Sequence, residues 1–162
     1  LSLLRQNTDY ALRVMVHLAH NETNDSCISA RTLAKEQDIS YQFACKILQQ
    51  LHEAKLVEST MGPKGGYRLS RPAEEITMRD VIEAVQGPVD LNRCLKGLDT
   101  CPRQPICPVT EKLAVLQGQI EDYLEQITLA QLNATGRPGR EIKKAESDQS
   151  MDKTDVKVCT HD

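Results

Sequence analysis

Residues 30–51 leave the chain few options. Ala44, Ile47, Leu48 and Leu51 fall at i, i+3, i+4 and i+7, the apolar stripe of a helix that Ser40 can N-cap. A shorter helix is expected from about Ala30 to Gln37, burying Leu33 and Ala34. Only Asp38-Ile39 remain between the two for a tight turn. Two short helices joined in this way make a helix-turn-helix. Ala34 is small where the helices must approach closely, and Ile39 is apolar where it can plug the corner. The outer face of the second helix carries Tyr41, Gln42, Cys45, Lys46 and Gln49, with Ser40 at its start. These side chains would enter the major groove of double-stranded DNA.

The flanking segments complete a winged form of this unit. Ala11, Val14, Met15 and Leu18 predict a helix over 10–20, and Asn21 to Ser26 read as a loop. Leu56 to Met61 and Tyr67 to Leu69 read as two strands around Gly62-Pro63-Lys64-Gly65-Gly66. Alone this is an ordinary hairpin turn; directly after a helix-turn-helix it reads as a wing. Its tip residues Pro63, Lys64, Gly65 and Gly66 would bring backbone N–H groups and one cation to DNA phosphates. Thr77 and Asp80 form a capping-box pattern for a helix starting near Met78, with Ile76 placed to staple onto Val81. Gly87-Pro88 ends that helix.

A cysteine loop follows. Cys94, Cys101 and Cys107 are separated by six and five residues, and Gly97, Pro102, Pro105 and Pro108 exclude regular helix or strand. Three thiols on one short loop can converge on a metal or an iron–sulfur cluster. Zinc favours shorter ligand spacings, which puts an iron–sulfur cluster ahead of it. Cys107 stands where a helix begins, so the helix N-terminus would stabilise its thiolate. Cys27, Cys45 and Cys159 lack partner spacing and read as ordinary thiols. The four histidines are dispersed, and none is placed as a catalytic base.

Pro108 suits the first position of a helix running to about Gln126. Val109, Leu113, Leu116, Ile120, Tyr123 and Ile127 step by 4, 3, 4, 3 and 4, a heptad seam. The seam can pack on its own domain, but its length and regularity favour a helix-mediated homodimer. Thr128 with Gln131 makes a second capping box, opening a short helix that ends near Asn133. Residues 134–162 mix six basic with six acidic side chains among few apolar ones, and are expected to be disordered.

The net charge of −3 looks wrong for a DNA binder, but its distribution matters more. Residues 1–72 carry nine basic against seven acidic side chains, and residues 73–162 carry eleven against sixteen. The N-terminal part can therefore present a basic face. Aromatics are 3% with no Trp, which argues against stacking on single strands. No apolar run reaches membrane-spanning length. The N-terminal Leu1-Ser2-Leu3-Leu4-Arg5 turns polar at once, unlike a secretory signal. A reducing cytoplasm is the expected compartment, where clustered cysteines act as ligands or redox centres more often than as bridges.

Several motifs now stand in one order. Thr8-Asp9-Tyr10-Ala11-Leu12-Arg13 comes first, then Gly62-Pro63-Lys64-Gly65-Gly66-Tyr67-Arg68-Leu69. Ile76-Thr77-Met78-Arg79-Asp80-Val81-Ile82, the three cysteines and Ile127-Thr128-Leu129 follow. Over roughly residues 3–133 this resembles the Rrf2 family of bacterial regulators, with its IscR-, NsrR- and RirA-like branches. The resemblance implies a homodimer of winged helix-turn-helix subunits crossed through the long helix. It also implies a two-iron or four-iron cluster on Cys94, Cys101 and Cys107. Met61 stands where the family's wing commonly has Arg. IscR-like members have a ligand His three residues after the last cysteine, where this chain has Thr110. NsrR-like members supply an Asp from the partner subunit, just before the N-terminal Tyr. Asp9 matches that place as a fourth ligand.

The expected architecture is mainly α with a small β-hairpin wing. Residues 1–72 form the winged helix-turn-helix, 73–107 a connecting helix and cysteine loop, 108–133 the dimerisation and terminal helices, and 134–162 a tail. The expected function is operator binding controlled by an iron–sulfur cluster, without enzymatic activity. A zinc- or thiol-based regulator is the alternative. An electron-transfer protein would leave the helix-turn-helix unexplained.

Overall fold

The computed structural model describes residues 3–22, 27–62, 65–96 and 102–135. Pro63, Lys64, Gly97, Cys101 and the tail from residue 136 onward, Cys159 included, lie outside them. The elements run α1 (Gln6–His20), α2 (Ala30–Glu36), α3 (Tyr41–Glu53), β1 (Val57–Thr60), β2 (Gly66–Leu69), α4 (Met78–Gln86), α5 (Pro108–Gln126) and α6 (Leu129–Thr135). Single 3₁₀ turns lie at Ala73–Glu75, Arg93–Leu95 and Gln104–Ile106.

Local chemistry explains most boundaries. Ser29 caps α2 by accepting from the Thr32 N–H at 3.1 Å, and Ser40 caps α3 by accepting from Phe43 at 3.2 Å. Between these helices Asp38 takes φ 53°, a left-handed corner that Asp tolerates better than bulkier residues, and the Ile39 N–H returns to the Ala34 carbonyl. Thr77 and Asp80 satisfy each other's backbone N–H groups at the start of α4. Thr128 and Gln131 do the same for α6. Gly87, at φ 81°, turns the chain out of α4.

The first helix begins four residues before the expected position 10. Thr8 occupies the inward position one turn ahead of Ala11, so the apolar stripe breaks while the helix does not. Thr8 is fully buried, and its hydroxyl donates to Gln86 Oε1 at 2.7 Å, which meets the cost of burying it.

One core joins α1 through α4 with β1 and α6, and α5 contributes no residue to it. Met15, Leu33, Ile47, Leu48, Leu51, Val81 and Leu129 are all fully buried in it. Strands β1 and β2 pair antiparallel from Val57↔Leu69 to Thr60↔Gly66. Ile28 adds an isolated bridge to Tyr67, with bonds of 2.8 and 2.9 Å, and so ties the start of the helix-turn-helix to the wing. The chain returns after α5: the Met78 N–H donates to Ile127 and the Leu129 N–H to Ile76, seating α6 beside α1 and the start of α4. Among the described residues no helix is long and apolar enough to cross a membrane.

Candidate nucleic-acid interface and cysteine loop

Helix α3 is anchored by its inner face and presents its outer one. Phe43 turns inward and meets Tyr10 of α1 edge to face, with ring centroids 5.7 Å apart. Tyr41, Gln42, Lys46 and Gln49 are exposed along the other side, and Cys45 is half-buried among them. Gln49 donates to Glu53 at 3.1 Å, so part of its hydrogen-bonding capacity is spent within its own helix. Arg31, in the first turn of α2, holds its guanidinium 5.8 Å from the Tyr41 ring centroid. Arg31 carries no sequence signal beyond its charge. Its type was visible, but the stacking depends on how α2 meets α3.

The wing follows α3 directly in the chain. Met61 is 81% exposed at the end of β1. Across the strands Arg68 donates to Glu58 at 3.0 and 3.2 Å, so the wing's described arginine is already paired with a carboxylate. Gly66 has a reason internal to the fold: a Cβ there would meet the Ile28 carbonyl oxygen at 2.5 Å. Gly65 closes the turn by donating to Gly62 at 2.8 Å. Pro63 and Lys64, the other expected tip residues, are outside the described residues.

Two of the three loop cysteines are described, and both attach to α5. Cys94 lies in the 3₁₀ turn Arg93–Leu95, which packs against α5, and Cys107 is the residue that begins α5. Both thiols are half-buried and neither is in a disulfide. The Cys107 thiol is pulled below its ordinary pKa, first by the Thr110 hydroxyl and then by the Thr110 and Val109 backbone amides at the helix start. Thr110, where one branch of the resembling family has a ligand, thus faces the last thiol as a hydrogen-bond donor. Soft, ionisable thiols suit an iron–sulfur cluster, and these two fit that use. Among the described residues no three His, Cys, Asp or Glu side chains gather as a metal site; Cys101 is not one of those residues. Asp9 lies in the first turn of α1, about half exposed, and pairs with Arg13 at 2.8 Å.

The segment leading to Cys94 is held by side chains. Gln117 of α5, one of two buried polar residues among the described ones, donates to the Val89 carbonyl and accepts from the Leu91 N–H at 2.9 Å. Lys96 pairs with Asp90 at 2.9 Å across the turn. At the far end of α5, Glu125 meets Arg79 of α4 at 2.9 Å, and Arg79 also meets Glu83 at 2.8 Å. The Glu83 hydrogen bond and charge, then those of Glu125, raise the Arg79 pKa further.

The apolar seam of α5 lies largely open. Val109, Leu116 and Tyr123 are 61%, 45% and 65% exposed, while Leu113, Ile120 and Ile127 are half-buried. Ile127 has already left the helix, with extended backbone that pairs with Met78. Val115, outside the seam, is also exposed.

Comparison with known proteins bears on this geometry. The family model described as Rrf2, iron-dependent transcriptional regulator, matches residues 4–135. A putative HTH-type transcriptional regulator of Mycobacterium tuberculosis is 32% identical over 147 residues, spanning 90% of each chain. The HTH-type transcriptional regulator NsrR of Halalkalibacterium halodurans is 32% identical over 133 residues, 80% of this chain and 88% of that one. Among solved structures, CymR (YrzC), described as the global cysteine regulator of B. subtilis, superposes with a TM-score of 0.67 at 22% identity. That match covers 83% of this chain and 98% of the other. This last likeness is one of fold.

Proposed function

The chain belongs to the Rrf2 family of transcriptional regulators, and from that premise we propose that its affinity for operator DNA is set by an iron–sulfur cluster held by Cys94, Cys101 and Cys107. The observation carrying this reading is the placement of Cys94 in a turn packed against α5 and of Cys107 at the start of α5, with Cys107 ionised more readily than an ordinary thiol. A thiolate is the form that ligates iron. When bound, a cluster supplies an anionic, redox-active centre open to small molecules at a weakly held corner. Asp9 of a partner subunit is the proposed fourth ligand, its exposed carboxylate leaving Arg13 to reach the site.

The remaining residues act on DNA and on assembly. Ser40, Tyr41, Gln42 and Lys46 read the major groove of double-stranded DNA from α3, while Pro63, Lys64, Gly65 and Gly66 contact phosphates from the wing. The open faces of Val109, Leu113, Leu116, Ile120, Tyr123 and Ile127 pair in a homodimer, which presents two recognition helices to two half-sites. The regulator works in the cytoplasm and catalyses no reaction. A second, thiol-based reading draws on the same lowered Cys107 pKa, since a readily ionised thiol is also readily oxidised.

Anaerobic reconstitution with iron and sulfide separates the two readings. Cys94→Ala, Cys101→Ala and Cys107→Ala should each lose the visible absorbance and the bound iron and sulfide while staying folded. Asp9→Ala should keep a cluster of shorter lifetime. Equal iron and sulfide in the wild type and all three cysteine variants would overturn the cluster. Operator binding that then responds to peroxide alone would favour the thiol reading.

A further inference from the structure

Three glutamine side chains fasten the end of α4 and the short segment that leads from it to the cysteine loop. Gln50, on the half-buried flank of α3, donates its amide to the Val85 carbonyl at 3.4 Å. Gln86, the last residue of α4, reaches the other way. Its Oε1 accepts from the Arg5 N–H at 3.0 Å and from the Thr8 hydroxyl at 2.7 Å, and its amide donates to the Leu3 carbonyl at 3.1 Å. Gln117 of α5 then grips Val89 and Leu91 from either side of Asp90, and its amide also donates to Glu121 at 2.7 Å. Residues 85–91 are therefore fastened to the recognition helix, to the start of α1 and to the middle of α5, just before Cys94.

These bonds differ from the packing around them. An apolar contact is non-directional and tolerates small shifts, whereas a paired amide holds a backbone segment at one position and is lost when that segment moves by an ångström or so. The opposite amide atom of Gln50, Oε1, is buried without a partner, so its side chain is held through the Val85 bond alone among the described residues. Gln117 fixes the chain three residues before Cys94 and rides on the helix that Cys107 begins. Both described cysteines are thus linked to Val85 and Gln86 through short covalent spans and fixed amides.

We propose that Gln50, Gln86 and Gln117 are positioning residues that make segment 85–91 the joint through which the state of the cysteine loop reaches the recognition helix. The proposal rests on the reading that the loop controls DNA binding. Coupling between sites is established only by measuring it. The quantity to measure is the ratio of operator affinities between anaerobically iron- and sulfide-reconstituted protein and chelator-stripped protein. The probe is a duplex selected from a random library by the wild-type chain.

Couplings of this kind span about 5–150-fold. Gln117→Leu keeps the volume and removes the backbone bonds. Its ratio should fall toward one while its stripped form binds the duplex with close to wild-type affinity; the backbone groups of Val89 and Leu91 left unpaired lower its unfolding midpoint without preventing folding. Gln50→Leu, which cuts the joint on the recognition-helix side and lies off the DNA face, should do the same and covers the case in which Gln117→Leu fails to fold. A wild-type ratio well away from one that survives in the folded variants would overturn the joint and leave loop control standing. A wild-type ratio of one would overturn loop control and the joint with it.

Discussion

In α3 the residues at i, i+3, i+4 and i+7, Ala44, Ile47, Leu48 and Leu51, have no exposed surface, whereas in α5 Val109 and Leu116 are 61% and 45% exposed. Both helices carry an apolar stripe at helical spacing, the broader i, i+3, i+4, i+7 face in α3 and the narrower heptad seam in α5. The difference lies in what surrounds them. Helix α3 is enclosed by α1, α2, α4 and β1, all drawn from the same 86 residues. Helix α5 touches α4 and the Arg93–Leu95 turn, then hands the chain back to α6. An apolar stripe states that a face must leave water. It does not state whether the cover comes from the same chain.

That contrast can be broken most directly at Leu116. Leu116→Glu places a carboxylate on the open stripe, where a partner helix would have to bury it at a cost of several kcal/mol. Light scattering should show the mass halve and operator affinity should drop, while circular dichroism shows the body built on α1–α4 still folded. A folded dimer would mean that the subunits join through another surface.

Leu48→Ala tests the enclosed stripe. It should cost about 2–5 kcal/mol of stability, read as a lower denaturant midpoint with an unchanged slope. A loss below about 1 kcal/mol would mean that the site collapses around the gap. Gln42→Ala acts on the outer face of the same helix and should leave stability alone. Discrimination between selected and unrelated duplex should fall by about 1–3 kcal/mol if Gln42 makes a bidentate base contact. Equal weakening on both duplexes would place Gln42 on the backbone instead.

The smallest expected effect is at the start of α5. In reduced, metal-free protein, alkylation of Cys107 should reach its half-maximal rate at a pH below the ~8.5 of a free cysteine. The donors of Thr110 and Val109 stabilise the thiolate, so the charged form persists to lower pH. Thr110→Val removes the hydroxyl and should move the profile upward. An unmoved profile would leave the helix-start amides as the cause.

The regulator's local structure was legible in its residues. The helix-turn-helix boundaries, the Ser40 cap, the capping boxes at Thr77 and Thr128 and the Gly87 exit all appear where spacing and cap chemistry place them. Such features depend on neighbours three or four residues away, so sequence alone suffices. The outward set of Tyr41, Gln42, Lys46 and Gln49 followed from the same periodicity. Cysteine type and spacing marked the loop, and Pro108 announced that Cys107 would begin a helix.

Tertiary structure decided the rest. Thr8 hides an early turn of α1 because its polarity breaks the stripe, and Gln86, 78 residues away, makes its burial tolerable. Ile28 pairs with Tyr67, α6 returns to the core through Leu129, Arg31 reaches Tyr41, and Gln117 holds the approach to Cys94. Periodicity names the face a helix buries and residue type names the bonds a side chain can make. Which distant group meets them is set by how the whole core closes, because only then are such partners brought within ångströms of one another.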